Sequence, residues 1–397
     1  MAILSKVYLS EIRPDRFDAE YFSKNYKDNL QLLNKTGKIS TLGRLFTKVD
    51  RGDKAEYNTV GPIPVLRSVN VRSLGFNETR QEYVTNEYFE KRPRGRVIKD
   101  DIIITSTGTG TLGRTSIWYK STKAFNVPEN SFLRGPINID PYLIAAFLST
   151  EYGILQLFQH QRGSSGQLHL YPVDIKRIIV PECLFKYQEE IGNYLREAFE
   201  LQTQSQTLYH QATDLLEQEL GLDKITFEKK KSYVASFSEA LLYSRFDGEH
   251  FQPKYKKIKD MIQHYPYGYE NLLSNIISVK PNYNLANHPD SSINYIELSN
   301  INPSMGFIEK VNSINIDKAP SRAKRIVESG DVIASSVVGS VDKAGLVSEA
   351  EIGYIASNGF FQFRSNYYTP EFLLLLIKSA FVKEQFHQQS TGGILSA

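Results

Sequence analysis

The heptapeptide Arg16–Phe22, RFDAEYF, returns as Arg245–Phe251, RFDGEHF, 229 residues further along the chain. An internal repeat constrains the fold more than any local propensity, because each copy must be able to form the same supersecondary unit. The register holds within two residues elsewhere. Gly75-Phe76 falls on Gly306-Phe307, RVIKDDIIITS from Arg96 on RIVESGDVIASS from Arg325, and Pro141 on Pro370. LFQHQRGSSG from Leu157 meets QFHQQSTGG from Gln385. One short match is chance; five in register indicate a duplicated domain.

Each copy reads as α+β. IPVLRSVNV and DIIITS in the first, and NYIELSNI and DVIASS in the second, are short β-favouring runs bounded by Gly, Asn or Asp. DPYLIAAFLSTEYGILQLFQHQ from Asp140 and TPEFLLLLIKSAFVKEQFHQQ from Thr369 place Pro in the first helical turn and run on with helical apolar spacing. One continuous helix is predicted from each.

Between the copies, Lys186–Leu220 contains no Pro, has a single Gly at Gly192, and stops at Gly221, a usual C-terminal signal. Tyr194, Leu201, Leu208, Leu215 and Leu222 occupy one heptad position, and Ile191, Ala198, Ser205 and Ala212 the other. An amphipathic helix packed on its own domain is the simpler alternative. The length, about three times the ordinary mean, and the small seam residues favour pairing with a second long helix. At 1.5 Å per residue the segment makes a rod of roughly 50 Å. The expected organisation is a first domain at residues 1–184, a spacer helix at 185–222, a linker at 223–236 and a second domain at 237–397. The repeat predicts a matching long helix after residue 397, so a second chain is expected to supply it if the protein itself does not.

The net charge of +3 conceals a polarity. Residues 1–184 hold 26 Lys and Arg against 19 Asp and Glu, the helix holds 2 against 7, and residues 223–397 hold 19 against 18. A basic first domain suits phosphate contact, whereas an acidic rod suits protein or solvent. Lys91, Arg92, Arg94, Arg96 and Lys99 form the densest cluster, and Arg322, Lys324 and Arg325 repeat it in the second copy. A solvated loop is the bland reading of either cluster; recurrence at one place favours a shared anionic ligand.

Catalytic signatures are scarce. Gly108, Gly110 and Gly113 match a dinucleotide fingerprint, but RTSIWYKSTKAF after them is rich in β-branched and aromatic residues where a helix is needed. A Gly-rich turn is expected instead, and a nucleotide enzyme is the least favoured reading. The histidines are scattered, and the single Cys183 can form neither an internal disulfide nor a Cys-rich zinc site. No cofactor and no metal are expected, nor is catalysis by this polypeptide alone. No apolar run approaches the ~20 residues of a membrane helix, so a cytoplasmic protein is expected.

Two divergent α+β domains flanking a heptad helix resemble the specificity subunit of type I restriction-modification systems. The resemblance rests on IPVLRSVNV, on DDIIITS and GDVIASS, on the GTLGR turn, and on Asn130 and Asn358 in VPENSF and IASNGFF. RGSSGQLHL, and IIVPECLFKYQEEIGNYL leading into the helix, complete it. No single motif is diagnostic; the order and the duplication are. The resemblance implies two target-recognition domains, each reading half of a split DNA sequence. It also implies helices that set the gap, methyltransferase subunits docked on them, and a translocase-nuclease subunit added for cleavage. The absent second helix is a departure from that pattern. A truncated or regulatory DNA-binding protein without specific methylation is the alternative.

Arg or Lys reads guanine, Asn or Gln reads adenine, and Ser or Thr addresses base edges or phosphate. Expected DNA contacts in the first domain are Arg67, Ser68, Asn70, Arg92, Arg94, Arg96, Thr107, Arg114, Arg162, Ser164, Ser165, Gln167 and His169. In the second they are Ser299, Asn300, Arg322, Lys324, Arg325, Ser336, Lys343, Gln389 and Thr391. Ile191, Tyr194, Ala198, Leu201, Ser205, Leu208, Ala212 and Leu215 are assigned to helix pairing.

Overall fold

A computed structural model describes residues 7–9, 12–78, 80–108, 110–163, 168–222, 225, 227–287, 292–309, 311–337 and 339–390. The chain divides into two compact units, residues 1–203 and 204–397, with the division inside the long helix. Both units are α+β.

In the first unit, one antiparallel sheet runs Phe46–Arg51, Asn130–Pro136, Ile102–Thr105, Thr115–Ile117 in spatial order. A second runs Tyr83–Val84, Ile63–Leu66, Ala124–Asn126, Arg96–Val97, with a parallel pairing of Phe125 to Val65. The second unit repeats both orders. Its sheets are Ile277–Ser278, Phe360–Arg364, Val332–Ser335, Ala344–Leu346, and Ser313–Asn315, Ser292–Ile296, Ile355–Ser357, Ala323–Ile326. Tyr295 pairs in parallel with Ile355 there. All four β-favouring runs of the sequence contain a central strand.

The duplication extends to buried polar side chains. Arg134 bonds both carboxylate oxygens of Asp101, at 2.8 and 2.5 Å, and Asp101 also accepts from the Ile98 N–H. In the second unit Arg364 bonds Asp331 at 2.7 and 3.0 Å, and Asp331 accepts from the Glu328 N–H. Both carboxylates are buried. A buried charge is tolerated only when paired and hydrogen-bonded, so this clamp fixes two sheet strands to one turn in each copy.

The RFD motif makes a second shared latch. Arg16 holds Asp18 and donates to the carbonyls of Gln159 and His160, while Gln159 donates back to the Tyr21 carbonyl. Arg245 holds Asp247 and donates to the carbonyls of Gln388 and Ser390, while Gln388 donates to the His250 carbonyl. The repeated heptapeptide therefore ties itself to the end of helix Glu151–Gln159 in the first unit and of helix Ala380–Gln389 in the second.

The predicted single helices are broken. In the first unit Pro141–Leu148 is followed by Glu151–Gln159, and in the second Pro370–Lys378 by Ala380–Gln389. A hydroxyl causes each break: Thr150 accepts from the Gly153 N–H, and Ser379 accepts from the Val382 N–H. Each caps a new helix instead of continuing the old one.

The spacer helix spans Gln188–Glu219, preceded by a 3-10 segment at Glu182–Tyr187. Its inner face is short. Phe199 is buried and stacks on Tyr119 at 4.3 Å. At Gly192 a Cβ would lie 2.2 Å from Asp140 Oδ2, so only glycine lets that carboxylate approach and bond Arg196 at 2.6 Å. Tyr194, Leu201, Leu208 and Leu215 are instead 56–65% exposed. Ala198 and Ser205 are exposed beside them, while Ile191 and Ala212 are half-buried.

The glycine segment is a hairpin. Gly108, Gly110 and Gly113 have positive φ, and the chain passes from strand Ile102–Thr105 into strand Thr115–Ile117. No helix follows to direct its N-terminus at a pyrophosphate, so the fingerprint lacks the structural context it requires. Among the described residues no helix is long and apolar enough to cross a membrane, and no His, Cys, Asp and Glu group is arranged to hold a metal ion.

Candidate nucleic-acid interface

The turns that join the strands carry most of the candidate contact residues. Several expected contact residues are committed to holding those turns. Asn70 is fully buried: its Oδ1 accepts from the Arg67 N–H and its Nδ2 donates to the Asn77 carbonyl. The Arg67 guanidinium bonds Glu82 at 3.2 Å and the Arg80 carbonyl. Together they bracket the Val71–Arg72 and Gly75–Phe76 hairpin, leaving Ser68 half-buried at its base. Asn70 therefore has no surface to offer a base, a correction that follows from its burial.

The basic cluster is locally compensated. Arg92 lies 3.8 Å from Asp53 and over the Tyr88 ring, Arg94 pairs with Asp50 at 2.9 Å, and Lys91 pairs with Glu87. Arg96 pairs with Glu90 and donates to the Phe89 carbonyl. These pairs are substantially exposed, and such pairs contribute only about 0–1 kcal/mol each, so a phosphate can displace the carboxylate at little cost.

Arg162 is held more firmly. It bonds the fully buried Asp174 and also Asp15, and these carboxylates raise its pKa above the ordinary arginine value. Its role is to pin the late loop, and it is not a free cation. Thr107 Oγ1 lies 3.1 Å from His169 Nδ1, and both residues sit in isolated strand pairings that bring the glycine hairpin to this loop. Ser164, Ser165 and Gln167 lie outside the described residues, as does Thr391.

Arg114 differs from all of these. It is half-buried and donates to the Gly110 carbonyl at 3.2 Å. Its pKa is lowered, first by burial and then by the charge of Arg72. Arg72 bonds the Val69 and Val71 carbonyls. Among the described residues neither guanidinium has a carboxylate partner. Two neighbouring cations with no carboxylate partner among the described residues make a candidate phosphate site. Sequence reasoning named Arg114 but missed Arg72. The signal was there: Arg72 closely follows the Arg67–Asn70 bracket, on the hairpin that packs against strand Thr115–Ile117.

In the second unit Ser299 donates to Glu297, and the Asn300 side-chain Oδ1 accepts from the Glu297 N–H as part of a capping box. Arg325 is 8% exposed, donates to the Val279 carbonyl, and has its pKa lowered by burial. It supports the sheet and is withdrawn from any surface ligand, another correction from burial. Arg322 is exposed and Lys324 half-buried. Lys343, at the repeat position of Arg114, donates to the Leu298 carbonyl at 2.8 Å. Ser336 and Gln389 line an apolar cavity of ≈ 390 Å³.

No family model and no curated protein matches the chain. Solved structures do. One, described as the "structural basis underlying complex assembly and conformational transition of the type I R-M system", is 27% identical over 30% of this chain and 34% of that chain, with a TM-score of 0.27. The HsdS subunit from Thermoanaerobacter tengcongensis is 26% identical over 34% of this chain and 36% of its own, with a TM-score of 0.28. The type I restriction-modification S subunit from M. genitalium is 12% identical over 89% of this chain and 78% of its own, with a TM-score of 0.35. The matched stretch thus spans about a third of the first two structures' length. The chain is similar to specificity subunits of type I restriction-modification systems.

Proposed function

We propose that this chain is the sequence-reading subunit of a type I restriction-modification complex. Each duplicated unit reads one half of a bipartite duplex site, and the helix between them sets the spacing. Chemistry is supplied by partners: methyltransferase subunits that modify adenine N6, and a translocase-nuclease subunit for cleavage. The chain needs no cofactor of its own and works in the cytoplasm beside its DNA.

One observation carries this reading: the same two sheets, the same buried Asp–Arg clamp and the same RFD latch occur twice, while the exposed turns differ. Fixed frames with divergent turns suit two modules that share a ligand class and read different words. The Arg72–Arg114 pair supports phosphate contact in the first unit. Two linked modules also gain affinity for a site whose halves match their separation.

The heptad stripe Tyr194, Leu201, Leu208 and Leu215, exposed along a 32-residue helix, supports pairing with another long helix. A second chain is the proposed source.

The test is the methylation map of cells that carry this gene and its methyltransferase partner. The reading predicts adenine methylation at one split motif, lost when this gene is deleted. An unchanged map contradicts it. Co-purification of the partner without any sequence-specific methylation favours the alternative, a truncated or regulatory interaction protein.

A further inference from the structure

The hairpin that carries Arg72 is built in an unfavourable way. Its strands Val71–Arg72 and Gly75–Phe76 are joined by Ser73 and Leu74 alone. Leu74 takes φ +51°, in the left-handed region where the Cβ of an L-residue crowds the following carbonyl oxygen. Glycine is the usual occupant of such a position. The second unit follows that rule. The two turns are closed by the same backbone bond, Asn77 N–H to the Asn70 carbonyl and Glu309 N–H to the Asn300 carbonyl, each 2.7 Å. In the second, a longer loop joins the paired Ile301 and Ile308, and the left-handed residue is Gly306, at φ +77°. Asn302 stands at the place of Arg72 and braces its own turn, accepting from the Ser304 and Met305 N–H groups. The leucine in a glycine conformation therefore accompanies the arginine.

Tertiary contacts hold Leu74 there. Its N–H donates to the Thr115 carbonyl at 2.9 Å, one residue from Arg114. Its side chain packs on the main core, to which Phe199 of the spacer helix belongs and on which Tyr119 also packs, stacked on Phe199. Val71 is fully buried in a cluster with Trp118, and Phe76 meets the Trp118 ring edge-on at 5.1 Å. Gly75 is buried, and a Cβ on it would come within 3.9 Å of Gln202 on the spacer helix. Arg72 is thus presented on a support anchored both to the strand that follows Arg114 and to the spacer helix. Two like charges repel, so the surrounding structure has to hold them together.

We infer that Leu74 is a positioning residue for a two-arginine phosphate site: its left-handed turn, seated on the core that includes Phe199, holds Arg72 beside Arg114 before DNA arrives. One phosphodiester group then meets a pair of guanidiniums already assembled. Backbone strain that its surroundings maintain marks a functional position, and preorganisation is what it supplies here. The inference rests on the phosphate-contact reading of the two arginines and adds the residue that assembles them.

The test is a double-mutant cycle in the full chain, with affinity for a mixed-sequence duplex measured across a salt series. Leu74→Gly accepts the same φ without strain but lacks the apolar anchor, and Leu74→Asn, which also tolerates a left-handed φ, removes that anchor too. Each is expected to weaken binding by about three- to tenfold, the cost of ordering one released arginine. The slope of log affinity against log salt is expected to stay at the wild-type value, because the phosphate contact still forms. Leu74→Met, which keeps the anchor, is expected to bind like the wild type. In an Arg72→Ala background Leu74→Gly is expected to have no further effect, whereas general loosening of the fold would lower affinity in both backgrounds. Wild-type affinity in both Leu74→Gly and Leu74→Asn, or an undiminished loss in the Arg72→Ala background, overturns the inference and leaves the phosphate reading standing. An Arg72→Ala protein with wild-type affinity and slope overturns that reading, and this inference with it.

Discussion

Arg134 closes on Asp101 through two short hydrogen bonds, and Asp101 is 1% exposed. Removing one partner of such a pair leaves an uncompensated buried charge, at a cost of about 3–5 kcal/mol. Arg134→Ala is therefore expected to lower the unfolding free energy of the first unit by about 3 kcal/mol or more in urea. Arg364→Ala, which strips Asp331, is expected to do the same to the second unit. A loss below about 1 kcal/mol for both would mean that the clamp is dispensable.

Gly192 sets helix propensity against packing. Ala is better than Gly by about 1 kcal/mol within a helix. Here its Cβ would meet Asp140 Oδ2 at 2.2 Å, and Asp140 both caps the helix beginning at Pro141 and pairs with Arg196. Displacing that carboxylate is expected to outweigh the gain, so Gly192→Ala destabilises by about 1–3 kcal/mol. Ser205→Ala, on the exposed face of the same helix, is expected to be neutral or slightly stabilising. A stabilised Gly192→Ala protein would show that Asp140 moves aside freely.

His160 is buried against Tyr21, and that burial lowers its pKa from 6.5 to about 4. The unfolded chain takes up the proton at a higher pH than the folded one. Stability is therefore complete above pH 6.5 and falls as the pH drops from there toward 4. The loss between pH 7 and pH 5 is about 2 kcal/mol. In denaturation curves across this range, His160→Gln is expected to flatten the dependence in the first unit. An unchanged slope would assign it to other groups.

Arg72→Ala and Arg114→Ala are each expected to weaken duplex binding by similar factors on all sequences, and to reduce the slope of log affinity against log salt by about 1. Binding measured across a salt series separates this from base reading. If either change alters which sequence is preferred and leaves the slope alone, that arginine reads bases.

Much of this fold was legible in the repeat, because a duplicated core needs duplicated apolar runs and the same polar anchors. The RFD motif and the aligned Asp101 and Asp331 were visible as letters. Their partners were not: Arg16 reaches carbonyls more than 140 residues away, and Arg134 reaches Asp101 across 33. The helix breaks at Thr150 and Ser379 were hidden because a hydroxyl inside an apolar helix reads as tolerated until its side chain is seen capping. The candidate interface was harder still. A run of arginines looks like a cationic patch, but Arg94 finds its carboxylate 44 residues away and Arg325 turns inward. Charge clustering reports composition, whereas availability depends on tertiary partners.

The central claim, that each unit reads one half of a split site, is tested most directly by a chimera. Residues of the second unit's two sheets and their turns are replaced by the corresponding residues of the first, keeping the long helix, and methylation is mapped in cells carrying the methyltransferase partner. The account predicts a new methylated site built from two copies of a single half, at the original spacing. Retention of the original bipartite site by the chimera would contradict it.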